Sequence, residues 1–246
     1  AGEETAKCVR SVFAALEQMQ NNLAALEGQV AGELRLVAVN TAQYVVPYML
    51  RAFLQLNPQI TVSVSVVNRA TALQRLNDNA DDLVIMGMVP AERPLTSLPF
   101  LDNELVPVVS RGHPLLDQSH VSAQAFLDSG LLVRESGSGS RLALELHCQN
   151  QRLRVLPSME LGSNDAVKHA VLAGLGVAVL PKLGVLSELA LGSLHILDVP
   201  GFPLRRSWCV VYPQARHPTP AMRAFIDYVQ QNIRQFEQLF LRRSEQ

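Results

Sequence analysis

Apolar residues recur through the first thirty positions at alternating steps of three and four: Val9, Val12, Leu16, Met19, Leu23, Leu26 and Val30. A 3.5-residue period keeps one stripe of an α-helix facing a partner over several turns, which is the pattern of a coiled-coil seam. Between them stand mostly Ala, Gln, Asn and Glu, which an exposed helix tolerates well. The spacing predicts a helix over residues 1–31 that pairs subunits. Phe13 lies off the stripe and fits the alternative, packing on the helix's own domain. Gly28 and Gly32 weaken the helix toward its end.

From Gly32 the pattern changes. Leu34–Val39 reads as a short apolar strand, and Pro47–Leu56 as a helix closed by Asn57-Pro58. Ile60–Val67 alternates Ile and Val with Thr and Ser, a strand pattern. Ala70–Asn79 reads as helix and Leu83–Met86 as a buried strand. This alternation predicts a parallel sheet covered by helices.

Pro90, Pro94 and Pro99 interrupt the rhythm and mark a crossing to a second series. Strands are expected at Leu105–Ser110, Leu131–Val133, Met159–Leu161, Val177–Leu180 and Trp208–Tyr212. Helices are expected at Ser122–Leu127, Arg141–Asn150 and Asp165–Ala173. Pro220–Leu241 reads as one amphipathic helix with Met222, Phe225, Ile226, Val229, Ile233 and Phe236 on one side. The segments Val106–Pro114 and Cys209–Pro218 share a form, an apolar strand with an exit holding Arg, His and Pro, and the second could return the chain to the first lobe. The expected architecture is α/β, with two Rossmann-like lobes joined by two crossovers. Residues 32–91 plus 213–241 would form one lobe and 92–212 the other.

Composition narrows the function. The 246 residues are 48% hydrophobic and 17% charged, enough for a core and too little charge for disorder. A net charge of -1 supplies no global field toward nucleic acid or an anionic membrane. The longest apolar run, Ala170–Leu180, falls well short of the ~20 residues that span a bilayer. No secretory signal opens the chain. Cys8, Cys148 and Cys209 are an odd number without CxxC spacing, which points to the cytoplasm and not to a disulfide framework.

Catalytic motifs are not apparent. Gly137-Ser138-Gly139 is not a GxSxG elbow, and Gly174-Leu-Gly176 lacks the third glycine of a dinucleotide fingerprint and follows a helix. The six histidines show no metal-ligand spacing. His147 and Cys148, adjacent in sequence, point to different helix faces. No enzyme, metal or cofactor is expected.

Polar residues cluster instead at strand-to-helix turns, where parallel α/β sheets hold ligands. Four turns stand out: Asn40-Thr41-Ala42-Gln43, Asn68-Arg69-Ala70-Thr71, Ser136–Arg141 and Gly162-Ser163-Asn164-Asp165. Each is also what simple N-capping would produce. The Ser/Gly loop with Arg141, facing Arg69, suits a carboxylate or phosphate. Arg141 could equally pair with Glu145, four residues on.

Several segments carry a family resemblance: Gly32-Glu-Leu-Arg-Leu36, Asp81-Asp-Leu-Val-Ile-Met86, His113-Pro-Leu115, Arg134-Glu-Ser-Gly-Ser-Gly-Ser-Arg141, and the run Leu161–Leu180. By these the chain resembles LysR-type transcriptional regulators without their N-terminal winged helix-turn-helix. Asn68-Arg69, Leu76-Asn-Asp-Asn79, Met86-Gly87 and Asp198-Val-Pro-Gly-Phe-Pro-Leu204 are most similar to the CbbR type, which regulates carbon-dioxide fixation operons.

The resemblance implies lobes of the type 2 periplasmic-binding-protein kind, a small-molecule effector between them, and a linker helix that assembles homodimers or homotetramers. It would place Asn40, Thr41, Gln43, Asn68, Arg69, Met86, Gly87, Ser136, Gly137, Ser138, Arg141, Ser163 and Asn164 around the cleft. The candidate effectors are anionic metabolites: a sugar phosphate such as ribulose bisphosphate, phosphoglycolate, 2-oxoglutarate or NADPH. Where such relatives often have Ser-Thr-Ser-Lys in the first turn, this chain has Asn40-Thr-Ala-Gln43 and lacks the lysine charge. Operator DNA and RNA polymerase would be met only through the full-length protein. An extracytoplasmic solute-binding protein would share the two-lobed form, but the heptad helix and the unpaired cysteines oppose it.

Overall fold

The computed structural model describes Gly2, Thr5, Val9 and residues 30–245, with side chains placed as far as Phe240. Of the predicted seam, Val12, Leu16, Met19, Leu23 and Leu26 lie outside the described residues. Val9 is helical and 47% exposed. Val30 packs, partly buried, against the first core, because the chain enters its first strand two residues later.

The first series forms β1 (Gly32–Val39), α1 (Val46–Leu56), β2 (Ile60–Val67), α2 (Arg69–Asn77) and β3 (Leu83–Met86). β1 pairs in parallel with both β2 and β3. β4 (Leu95–Ser110) then carries the chain across, and α3 (Ala123–Asp128), β5 (Leu131–Arg134), α4 (Gly139–Asn150), β6 (Met159–Leu161), α5 (Asn164–Leu172) and β7 (Val177–Pro181) follow. Here too the central strand, β5, pairs in parallel on both sides, with β6 and β7. α6 (Leu186–Ala190), β8 (Leu194–Ile196), β9 (Leu204–Pro213) and α7 (Pro220–Glu245) complete the chain. The strand order is β2-β1-β3-β9-β4-β7-β5-β6, with β8 on β4.

The two parallel halves are therefore joined by an antiparallel pair, β4 with β9, that belongs to both. The hydrophobic pattern showed the part of each crossover strand that also pairs within one half, Leu105–Ser110 against β7 and β8 and Trp208–Tyr212 beside β3. β4 begins ten residues before the expected Leu105 and runs through Pro99, where its register against β9 shifts between Pro99 and Leu101. Proline cannot donate to a ladder, and a bulge lets the strand pass it. α6 and β8 are too short to show a period and were not expected.

Two sets of apolar contacts lie on either side of this pair. The first gathers β1, β3, the inner faces of α1 and α2, and Met222, Phe225, Val229 and Phe236 of α7. The Phe53 and Phe225 rings meet edge-on at 5.1 Å, an arrangement their quadrupoles favour. The second set surrounds β5 and β7, with α3 and α4 on one face and α5 on the other. Among the described residues, the buried charges Asp81, Asp82 and Arg134 all stand in ion pairs. Asp82 accepts from the Arg35 backbone N–H at 2.8 Å and from Arg35 Nη2 at 2.9 Å, and it also pairs with Arg216. Asp81 takes both Nε and Nη2 of Arg75, at 2.7 and 2.8 Å. Gly176 has a packing role: a Cβ there would lie 1.9 Å from the Gly130 carbonyl oxygen, so only glycine fits.

Candidate functional site

Residues at the carboxyl ends of β1, β2, β3 and β5, at the start of α4 and on the crossover strands β4 and β9 line one space. The result is a cavity of about 30 Å³ lined by Val39, Asn40, Thr41, Asn68, Arg69, Gly87, Met88, Asn103, Leu105, Arg134, Ser138, Gly139, Ser140, Ala143 and Arg206. That space holds about one water.

Among the turn residues singled out in the sequence, the cavity brings together Asn40, Thr41, Asn68, Arg69, Gly87 and Ser138. The others sit outside its wall. Met86 is buried in the first core, and Gln43 lies within the short 3-10 helix Ala42–Tyr44 that follows Thr41. Ser136 and Gly137 are exposed at the rim. Ser163 caps α5, its hydroxyl accepting from Ala166 N–H at 3.0 Å, and Asn164 is buried against Arg134. Arg141 turns away from the cavity. Its Nε donates to Glu145 at 2.7 Å, and its Nη1 pairs with Glu160. One step along a helix rotates a side chain by ~100°, so Ser140 faces in while Arg141 faces out.

Three arginines line the cavity, and no carboxylate does. Arg134 is 3% exposed and fully engaged: Nε and Nη2 donate to Glu135 at 2.7 and 2.9 Å, and Nη1 to Asn164 Oδ1 at 2.6 Å. Arg69 and Arg206 are different. Neither has a carboxylate within 4.0 Å among the described residues. Arg69 Nε donates to the Met88 carbonyl at 2.8 Å, and Arg206 Nε donates to the Met88 sulfur at 3.2 Å. Burial holds the Arg69 pKa below its ordinary value, with the charge of Glu92 acting weakly in the other direction. A partly desolvated cation with no carboxylate bonded to it favours an anion beside it.

The start of α4 adds to this. α2, α3 and α5 each begin with a side-chain cap, from Asn68, Ser122 and Ser163. Ser138, at the N-cap of α4, makes no such bond, as is also the case at α1 and α6, and the first turn of α4 faces the cavity. Ser140 Oγ, buried in the same wall, has no hydrogen-bond partner. Free N–H groups at a helix start, the helix dipole and an unpaired hydroxyl form an anion cradle.

The rim is bridged from one side to the other. Asn68 Nδ2 donates to Glu135 Oε1 at 3.3 Å, and Ala70 N–H donates to the Gly137 carbonyl at 3.1 Å. Asn40, with its amide oxygen toward β5, accepts from Arg134 Nη2 at 3.0 Å. Gly137 has φ +89°, and a Cβ on it would meet the Ala70 Cβ at 2.9 Å, so this approach needs glycine.

Sequence reading missed Asn103, Arg134 and Arg206, and within the turn Ser136–Arg141 it favoured Arg141 over Ser140. Arg134 stands one residue past the strand expected at Leu131–Val133. Asn103 and Arg206 lie on the crossovers, where no local signal marks them. Among the described residues no group of three His, Cys, Asp or Glu could hold a metal, and no helix is long and apolar enough to cross a membrane. Cys148 and Cys209 are buried and unpaired, and burial raises the pKa of both thiols.

Residues 27–234 match the family model described as the LysR substrate binding domain. The chain is 36% identical over 229 residues to the HTH-type transcriptional activator CmpR of Synechocystis sp., covering 93% of this chain and 75% of that one. It is 37% identical over 229 residues to a RuBisCO operon transcriptional regulator of Acidithiobacillus ferrooxidans, covering 93% and 74%. Among solved structures, the CcmR regulatory domain of Synechocystis in complex with 2-PG superposes with a TM-score of 0.76 at 38% identity, covering 81% of this chain and 96% of that one. The effector binding domain of QuiR in complex with shikimate shares the fold at 21% identity, with a TM-score of 0.75, covering 84% and 99%. The fold is thus that of the LysR effector-binding domains, two α/β halves of the type 2 periplasmic-binding-protein kind, and the chain belongs to the LysR-type transcriptional regulators.

Proposed function

We propose that this chain senses a small phosphorylated anion, 2-phosphoglycolate or a near relative, and through it controls carbon-fixation genes. The observation that carries the reading is the pair Arg69 and Arg206, cations without carboxylate partners lining a cavity that also holds the uncapped start of α4. The relatives named for the RuBisCO operon and the CcmR domain in complex with 2-PG point the same way. Residues 32–91 with 213–241 act as one jaw and 92–212 as the other. A cavity of about 30 Å³ is too small for such an effector, so the rim bonds at Asn68–Glu135 and Ala70–Gly137 part when it enters.

The seam Val9–Val30 pairs chains into dimers or tetramers, and operator DNA is bound by the full-length protein in the cytoplasm. The chain acts as a sensor and not as a catalyst. A solute-binding role is disfavoured by the relatives, which are transcriptional regulators.

Calorimetry with 2-phosphoglycolate tests the reading. Charge-assisted bonds are worth roughly 1.5–3 kcal/mol each, so Arg69→Ala should weaken binding about 10- to 100-fold. Arg141→Ala should leave it unchanged. Equal loss in both variants, or none in either, would place the effector elsewhere.

A further inference from the structure

Met88 holds φ at +53°, a left-handed backbone that costs energy for a residue with a side chain. In that conformation it serves both unpaired guanidinium groups, its carbonyl accepting from Arg69 and its sulfur from Arg206. One methionine therefore stands between two cations that approach the cavity from different elements, Arg69 from the start of α2 and Arg206 from β9. Two like charges held apart in this way suit two anionic groups better than one.

The second position has a partner of its own. Asn103 on β4 lies directly opposite Arg206 on β9 in the antiparallel ladder. The residue is 8% exposed and lines the cavity, and its side-chain amide, open to that space, makes no hydrogen bond to a described residue. An amide that faces the cavity without a protein partner offers both donors and an acceptor to whatever occupies it. The remaining bond of Arg206 goes to the Arg205 carbonyl at 2.7 Å, which leaves its charge uncompensated.

Resting on the function proposed above, we infer that the effector has two anionic ends and that Asn103 and Arg206 read the second. The first end, a phosphate, lies at Arg69 and the start of α4, where helix N–H groups favour it. The second, a carboxylate, takes the Arg206 guanidinium and the Asn103 amide. Because this pair belongs to the crossover strands, occupancy of the second end registers on the segment that joins the two halves.

The test is calorimetry on the whole chain with two probes, 2-phosphoglycolate and inorganic phosphate, supported by thermal melts to confirm folding. Wild type should bind 2-phosphoglycolate more tightly than phosphate. Arg206→Gln should reduce 2-phosphoglycolate affinity about 10- to 100-fold while changing phosphate affinity less than about threefold. Asn103→Ala should act in the same direction more weakly, and it serves if Arg206→Gln folds poorly. Arg69→Ala should weaken both probes. If Arg206→Gln and Asn103→Ala leave 2-phosphoglycolate binding intact, or weaken both probes equally, while Arg69→Ala still weakens both, the two-ended reading is wrong and the effector site stands. If wild type binds neither probe, the proposed function fails and this inference falls with it.

Discussion

The indole Nε1 of Trp208 donates to Thr41 Oγ1 at 3.1 Å, and both groups are buried. The bond ties the second crossover strand to the first turn of the cavity, across 167 positions of sequence. It also fixes the Thr41 hydroxyl as an acceptor, so its proton is free to point at a ligand.

Thr41→Val keeps the shape of the side chain and removes the acceptor. A buried N–H left unpaired costs about 1–3 kcal/mol. Urea unfolding should show a loss of that size, with the denaturant slope unchanged. A variant as stable as wild type would mean the indole finds another partner.

Asp82 is 4% exposed and receives Arg35 and Arg216 together with a backbone N–H. Asp82→Asn strips the counter-charge from both cations. Breaking a buried pair by removing one member typically costs 3–5 kcal/mol; both arginines are partly exposed and can rehydrate, so about 3 kcal/mol is expected. The melting temperature should fall accordingly, and Arg35→Ala alone should cost less.

His147 supplies a pH dependence. Its Nε2 is buried without a partner beside Gly201 and Phe202. Burial, and secondarily the charge of Arg206, holds its pKa below the ordinary value. The unfolded chain therefore takes up a proton more readily than the fold. This contribution is complete above pH ~6.5 and is lost as pH falls through the lower folded value. His113, depressed by burial, acts in the same direction. Unfolding at pH 7.5 and 5.5 should show a smaller acid loss in His147→Gln than in wild type, and equal losses would count against this account.

The alternating spacing from Val9 to Val30 predicts that Leu16→Asp with Leu23→Asp dissociates the assembly, since burying two carboxylates in a seam costs several kcal/mol. Light scattering should report smaller particles. An unchanged oligomer would assign assembly to another surface.

The sequence alone determined the alternation of strands and helices, because period-2 and period-3.6 patterns act over a few residues. It also located the turns after β1, β2 and β5, and with them Asn68, Arg69 and Ser138, since polar residues before a helix are a local signal. Only the tertiary structure decided which of these residues meet. Ser140 and Arg141 read alike in the sequence, and the rotation of α4 sends one into the cavity and the other to Glu145 and Glu160. Asn103 and Arg206 share the cavity wall only because β4 pairs with β9 in the register that sets them opposite each other. That register is fixed by the bulge at Pro99 and by the packing of two cores on either side of the pair, long-range constraints that leave no mark on the residues around either position.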